Sequence, residues 1–296
     1  MKYLVAGVPL YTLDERYGIA QAMVVEDGWV VAVGDLKLLH DAYPTAKALD
    51  IDGGAIIPAF NDSHAHLLLL GQDLTRCDLG ECRTKNQVVE ALRHWMDNNV
   101  SEPWVMGWNF DAANFQGATP LSCQDIDEVS CLKPVMISDK SKHAVLANSV
   151  AMKLAGITSS TPSPRGGIIE RNLTGQPMGV FREMAAMALI ESAMPDPGQE
   201  GVVKSLHAAM AYLEKMGILA ATEAFAGNWY PLAGKIAAYN QILKEGAPVR
   251  ITLMPEFVAA KQEGWLDSKS IRDLNLHKDL RLGPLKMMAD GAVAGR

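Results

Sequence analysis

From Ala55 onward, short strand-like apolar runs alternate with helical patterns, and few architectures accept that order: a parallel α/β sheet, open or closed into a barrel. The strand-like runs fall at 55–62, 134–138, 218–224, 249–254 and 282–289. Between them, 86–99 sets Val88, Ala91, Leu92 and Trp95 on one face behind a Thr84/Gln87 capping box, and 199–216 repeats the pattern with Val202, Leu206, Met210 and Leu213. Both helices are expected to cover a sheet.

Before Gly53-Gly54 the texture differs. Runs at 3–8, 19–25 and 29–33 alternate apolar and polar residues, and Glu26-Asp27-Gly28 joins the last two with hairpin chemistry. These strands are too few to build a core of their own, so residues 1–54 are expected to form a small, β-sandwich-like unit, incomplete by itself, with the barrel domain over 55–296. Turn signals such as Thr161-Pro162-Ser163-Pro164-Arg165-Gly166-Gly167 break the pattern across 103–197, which reads as an insertion with loops over one end of the sheet. A (β/α) barrel takes about 250 residues without insertions. The expected fold class is therefore α/β, with a partial TIM-type barrel that these residues do not close.

Composition sets limits on partners. The 27 basic and 34 acidic residues give a formal charge of −7 with neither sign gathered into a block, so a nucleic-acid backbone is not an expected partner. No apolar stretch approaches the roughly 18–20 residues of a membrane span, and Asp14, Glu15 and Arg16 interrupt the start before a signal-peptide core is complete. Cys77, Cys82, Cys123 and Cys131 form no C-x-x-C pair, and Cys77 and Cys82 read as packing. A cytoplasmic protein with reduced thiols is expected.

The most informative stretch is Ile56-Ile57-Pro58-Ala59-Phe60-Asn61-Asp62-Ser63-His64-Ala65-His66. At the end of a strand, period-two alternation sends Asp62, His64 and His66 to one face, where two imidazoles can reach a single ion such as Zn²⁺. The plain alternative is that one histidine caps the strand and the other packs.

The run PAFNDSHAHLLLLG resembles the P-G-F-x-D-x-H-x-H motif that opens the barrel of the amidohydrolase superfamily. DKSKHAVLANSVAM (139–152), GQPMGVFREM (175–184) and the closing LKMMADGAVAGR are similar to segments of its amidohydrolase-3 branch, which includes N-substituted formamide deformylases. Ala59, Asn61 and Lys142 depart from the branch's pattern. The resemblance implies hydrolysis of a non-peptide carbon–nitrogen bond, of amide or formamide class, in a small-molecule substrate. One or two divalent ions, zinc first, lower the pKa of bound water and polarise the carbonyl, while a carboxylate carries the proton to the leaving nitrogen. His64 and His66 would hold the first ion. Lys286, carbamylated, or Glu183, unmodified, would bridge to a second; the alternatives are a lysine packed at the barrel mouth and a glutamate capping the helix that follows.

His143 would orient a substrate oxygen or bind metal, or else order Asn148 and its helix. Asp290 would contact substrate or fix the Gly291 turn. Trp108, with Trp104, Asn109, Asp111 and Phe115, would wall the pocket or form the core of the insertion. No general base is assignable, because the family's later histidines and metal-binding aspartate have no counterpart in these residues.

Serine-hydrolase, phosphate-loop and dinucleotide-binding signatures are missing from the sequence. The reading is a metal-dependent amidohydrolase, with a catalytically inactive remnant or regulatory binding protein of the same fold as its alternative. These residues alone are expected to expose a strand edge near Met287 and to self-associate through it.

Overall fold

Glu26-Asp27-Gly28 forms the tight hairpin that its chemistry predicts. The computed structural model, which describes residues 1–116, 120–227, 230–266 and 274–287, puts Asp27 (φ 49°) and Gly28 (φ 84°) in the left-handed region, as a two-residue connection that follows strand twist requires. The first part of the chain holds β1 (Lys2–Ala6), β2 (Leu10–Tyr11), β3 (Ile19–Ala20), β4 (Ala22–Glu26), β5 (Trp29–Gly34), helix α1 (Leu36–Ala42) and β6 (Lys47–Asp50). Strands β5, β4, β1 and β6 form a sheet in that order, with β6 parallel to β1 and the other pairs antiparallel. Leu4, Ala6, Ala22, Val24 and Leu39 make its small core. Among the described residues, 1–61 with 217–220 cluster as one compact unit and the others as a second.

The remaining elements are β7 (Phe60–Ala65), α2 (Leu67–Leu74), β8 (Cys77–Asp78), α3 (Lys85–Asn98), β9 (Val105–Phe110), α4 (Cys123–Asp127), β10 (Val135–Asp139), β11 (Ala144–Ala147), α5 (Ser149–Leu154), β12 (Ile168–Arg171) and β13 (Pro177–Arg182). After these come α6 (Glu183–Glu191), α7 (Gly198–Lys215), β14 (Ile218–Ala226), α8 (Leu232–Lys244), β15 (Arg250–Pro255), α9 (Phe257–Gln262) and β16 (Leu280–Leu282). They build two sheets, one ordered β16-β15-β14-β7 and the other β12-β13-β11-β10-β9-β8.

In the six-stranded sheet β8, β9 and β10 run parallel, and antiparallel pairing continues through β11, β13 and β12. Alternation divides its side chains. Val105, Ile137, Leu146 and Val180 join one core, with Val88 and Leu92 of α3, while Met106, Met136, Val145 and Phe181 join another with Ala186 and Ile190 of α6. The Thr84/Gln87 capping box opens α3 as expected. Val202, Leu206, Met210 and Leu213 are the buried stripe of α7. Helices α2 and α7 meet at Gly71, where an added Cβ would lie 1.8 Å from the Ser205 carbonyl oxygen.

Three expectations need correction. The strand expected over 55–62 begins only at Phe60, because Pro58 has no amide to offer a ladder and Ile56 is already used: its N–H donates to Pro9 O and its carbonyl accepts from Tyr11 N, each at 2.9 Å. Of the strand expected over 282–289, residues 288 and 289 lie outside the described residues; before them β16 ends at Leu282, Gly283 and Pro284 follow, and Lys286 makes an isolated parallel bridge to Glu256. The stretch 103–197 is more than loops. Its short runs, such as Ala144–Ala147 with all four residues buried, have no period to show in sequence because both faces are covered.

Candidate active site

Strand β7 runs out through Asp62-Ser63-His64-Ala65 to His66, the residue before α2. Asp62 Oδ1 accepts from the His64 backbone N–H at 3.0 Å. The His64 and His66 rings stand edge to face, with centroids 5.5 Å apart and planes at 86°. His64 is exposed, whereas 38% of the His66 side chain is accessible.

Behind His66 lies a group that the sequence reading missed. Glu223, on β14, is fully buried, as are Lys235 and Tyr239 of α8. Glu223 Oε2 accepts from the backbone N–H of Leu67 at 3.1 Å and of Leu68 at 3.4 Å, and from the Tyr239 hydroxyl at 3.0 Å. It therefore caps α2 from another strand, an anion on the positive end of the helix. Oε1 lies 3.7 Å from Lys235 Nζ and 3.9 Å from His66 Nδ1. Burial pushes the Glu223 carboxyl up, but His66, Lys235 and Tyr239 outweigh it and hold the group below its ordinary value. Burial pushes the Lys235 ammonium down against the pull of Glu223, and it drives the Tyr239 phenol well up, with the Glu223 charge adding to it.

The signal was present but unused. Glu223 is a lone acid in the apolar run Ile218–Ala226, and Lys235 and Tyr239 stand one turn apart on an apolar helix.

A second cluster gathers at the ends of β9, β10 and β13. His143 Nδ1 lies 3.1 Å from Glu183 Oε2, and the Glu183 N–H donates to the His143 carbonyl at 2.8 Å. Both side chains are about one-third exposed, 27% and 34%. Glu183 opens α6 at φ 66°, and Lys142 and Asn109 also occupy the left-handed region, at 62° and 61°. Such backbone costs L-residues roughly 1–2 kcal/mol each and concentrates where side chains must be aimed. Lys142 Nζ lies 2.7 Å from Asp73 Oδ2 and 5.5 Å from the centre of the half-buried Trp108 ring. Asn148 is buried and saturated, accepting from Val135 N and Ala151 N and donating to the carbonyls of Ser130 and Lys133; His143 is not among its partners.

The other expected site residues are spread out. The Lys286 N–H donates to Pro255 O and its carbonyl accepts from Phe257 N, and Asp290 lies outside the described residues. Trp104 is core, 5% exposed, and Phe115 packs edge to face on Phe110. Asp111 caps the short turn at Ala112–Asn114. Burial pushes the Cys77 thiol up to about 12, which suits packing and not nucleophilic attack. Among the described residues no group of three or more His, Cys, Asp or Glu side chains is placed to hold a metal ion. No described helix is long and apolar enough to cross a membrane.

Residues 47–296 match the amidohydrolase family model. The chain is 33% identical over 213 residues to the N-substituted formamide deformylase of Arthrobacter pascens, an alignment that covers 70% of this chain and 39% of that one. It is 27% identical over 299 residues to a Bacillus subtilis (strain 168) protein named amidohydrolase YtcJ, covering 100% of this chain and 55% of the relative. The chain thus spans about half the length of the curated relatives it matches. Among solved structures it resembles uncharacterized metal-dependent hydrolases from Pyrococcus furiosus (TM-score 0.68, 18% identity, 100% of this chain and 58% of that one) and Pyrococcus horikoshii OT3 (TM-score 0.65, 18% identity, 89% and 50%). At that identity the likeness is one of fold, a mixed α/β arrangement.

Proposed function

The chain belongs to the amidohydrolase family, and from that premise we propose that the protein is a metal-dependent hydrolase of a non-peptide carbon–nitrogen bond, of amide or formamide class, in a small-molecule substrate. The observation that carries the reading is the pair of imidazoles 5.5 Å apart at one strand end. The donor chemistry fits a borderline divalent ion, zinc first, and supplies two of the about four ligands that zinc takes. When bound, such an ion acidifies water toward neutrality and polarises the scissile carbonyl.

The chain's own residues then have separable tasks. His64 and His66 hold the ion, His66 through the nitrogen that does not face Glu223. Lys286 or Glu183 completes or bridges the ligand set. His143, Trp108 and Asp290 contact substrate, and the 3.1 Å approach of Glu183 Oε2 to His143 Nδ1 orients the His143 ring. The general base and the further ligands have no assignment among these residues. In the same reading, β7, β14, β15 and β16 are the opening strands of a (β/α)₈ barrel, and the protein acts in the cytoplasm.

Elemental analysis tests this on the protein as expressed. The expected result is at least one equivalent of divalent metal per chain, lost in the His64→Ala/His66→Ala double variant with its circular dichroism unchanged. Wild-type metal content in that double variant, or sub-stoichiometric metal in the wild type, would favour a non-catalytic binding protein instead. N-substituted formamides are the first substrates to assay.

A further inference from the structure

One buried carboxylate meets both the helix start that follows His66 and, at 3.9 Å, the His66 ring. Glu223 Oε2 holds the N–H groups of Leu67 and Leu68, the first turn of the helix that begins directly after His66, and so fixes where the His66 backbone stops. Oε1 of the same group faces Nδ1 of the His66 ring. The carboxylate cannot turn away from either task, because Tyr239 donates to Oε2 and the Lys235 ammonium sits 3.7 Å from Oε1, and all three side chains are fully buried. Lys235 Nζ is itself tethered to the Phe225 carbonyl at 3.4 Å. His64 is set differently: it is an exposed residue, and the carboxylate beside it, Asp62, meets its backbone N–H.

We propose that Glu223 is a positioning residue for His66, selecting the tautomer with the proton on Nδ1 and thereby presenting Nε2 as the metal-binding lone pair, with Lys235 and Tyr239 holding Glu223 in place. A carboxylate that accepts from one imidazole nitrogen fixes which nitrogen is left basic, and it raises the basicity of that nitrogen. The two histidines are then unequal: His66 is set before metal arrives and His64 adjusts to it. The part that concerns metal rests on the proposed function; the tautomer does not.

The test uses histidine-labelled protein freed of metal. In the wild type at pH 8, nitrogen NMR should show His66 protonated at Nδ1; an Nε2-protonated ring overturns the proposal whatever the protein does with metal. Glu223→Gln should mix the two tautomers and weaken zinc binding, read by chelator competition, by about 10–100-fold. Tyr239→Phe, which removes a donor from Oε2 and leaves Oε1 in place, should keep the tautomer and lose less than Glu223→Gln does. If Glu223→Gln folds with tautomer and zinc affinity unchanged, Glu223 merely caps α2 and the proposal fails. If Glu223→Gln does not fold, the wild-type spectrum still decides. A wild type with the expected tautomer but no zinc at His64 and His66 refutes the proposed function and leaves the orientation standing.

Discussion

His66 and His143 each face a glutamate, yet the two pairs are built on different physics. Glu223 is sealed from water, and its charge is matched by Lys235, Tyr239 and the helix end. Glu183 is one-third exposed, and the geometry around it comes from backbone: its own positive φ and the strand register that sets Ala144 opposite Arg182. In low dielectric a charge is worth much to the partners it has and costs much if they are removed. Near water the same pair is screened and adjustable. The first arrangement holds a side chain in one place, and the second leaves it free to adjust.

This contrast can be broken experimentally. Its largest expected effect is Glu223→Ala, which leaves Lys235 buried without its counter-charge and should cost about 3–5 kcal/mol of stability in urea unfolding. A loss below ~1 kcal/mol would mean that Lys235 sheds its proton or reaches solvent, and the sealed cluster would lose its meaning. Gly179→Ala comes next. Gly179 has φ 87°, and a Cβ there would lie 2.5 Å from the Ala147 carbonyl oxygen, so a loss of about 2 kcal/mol is expected in the same assay, showing that sterics shape the strand leading to Glu183.

Glu183→Gly should change stability by less than about 1 kcal/mol, because relief of the left-handed φ offsets the lost exposed pair; a loss as large as that of Glu223→Ala would erase the distinction. The smallest effect is expected at Asp125. Burial pushes its carboxyl up, but hydrogen bonds from Ser122 and Lys85 outweigh this and hold it below its ordinary 3.8. Its contribution is therefore present above that value and lost as pH falls through the lower folded value. Asp125→Asn should flatten this acid limb in unfolding curves taken between pH 2 and 5 and leave the His66 region untouched.

Much of the fold was legible where one face of an element meets water. The Asp27-Gly28 hairpin, the capped α3 and the stripe of α7 all carry a period because their other face is solvated. The strands β11 and β13 were not legible as a sheet, since burial on both faces removes alternation. β7 was misplaced by its first residues, because Ile56 is as apolar as a strand needs and only its bonds to Pro9 and Tyr11 show it engaged elsewhere.

By itself the sequence determined the α/β class, the family and the histidine pair, because each rests on residues adjacent in the chain: strand period, motif order and a two-residue spacing that aims both rings to one side. Only the tertiary structure decided what stands behind those rings. Glu223 lies 156 positions from Leu67, whose N–H it binds, and no local pattern records such a distance. The fold supplies it because a buried charge is tolerable only where other parts of the chain bring the groups that neutralise it.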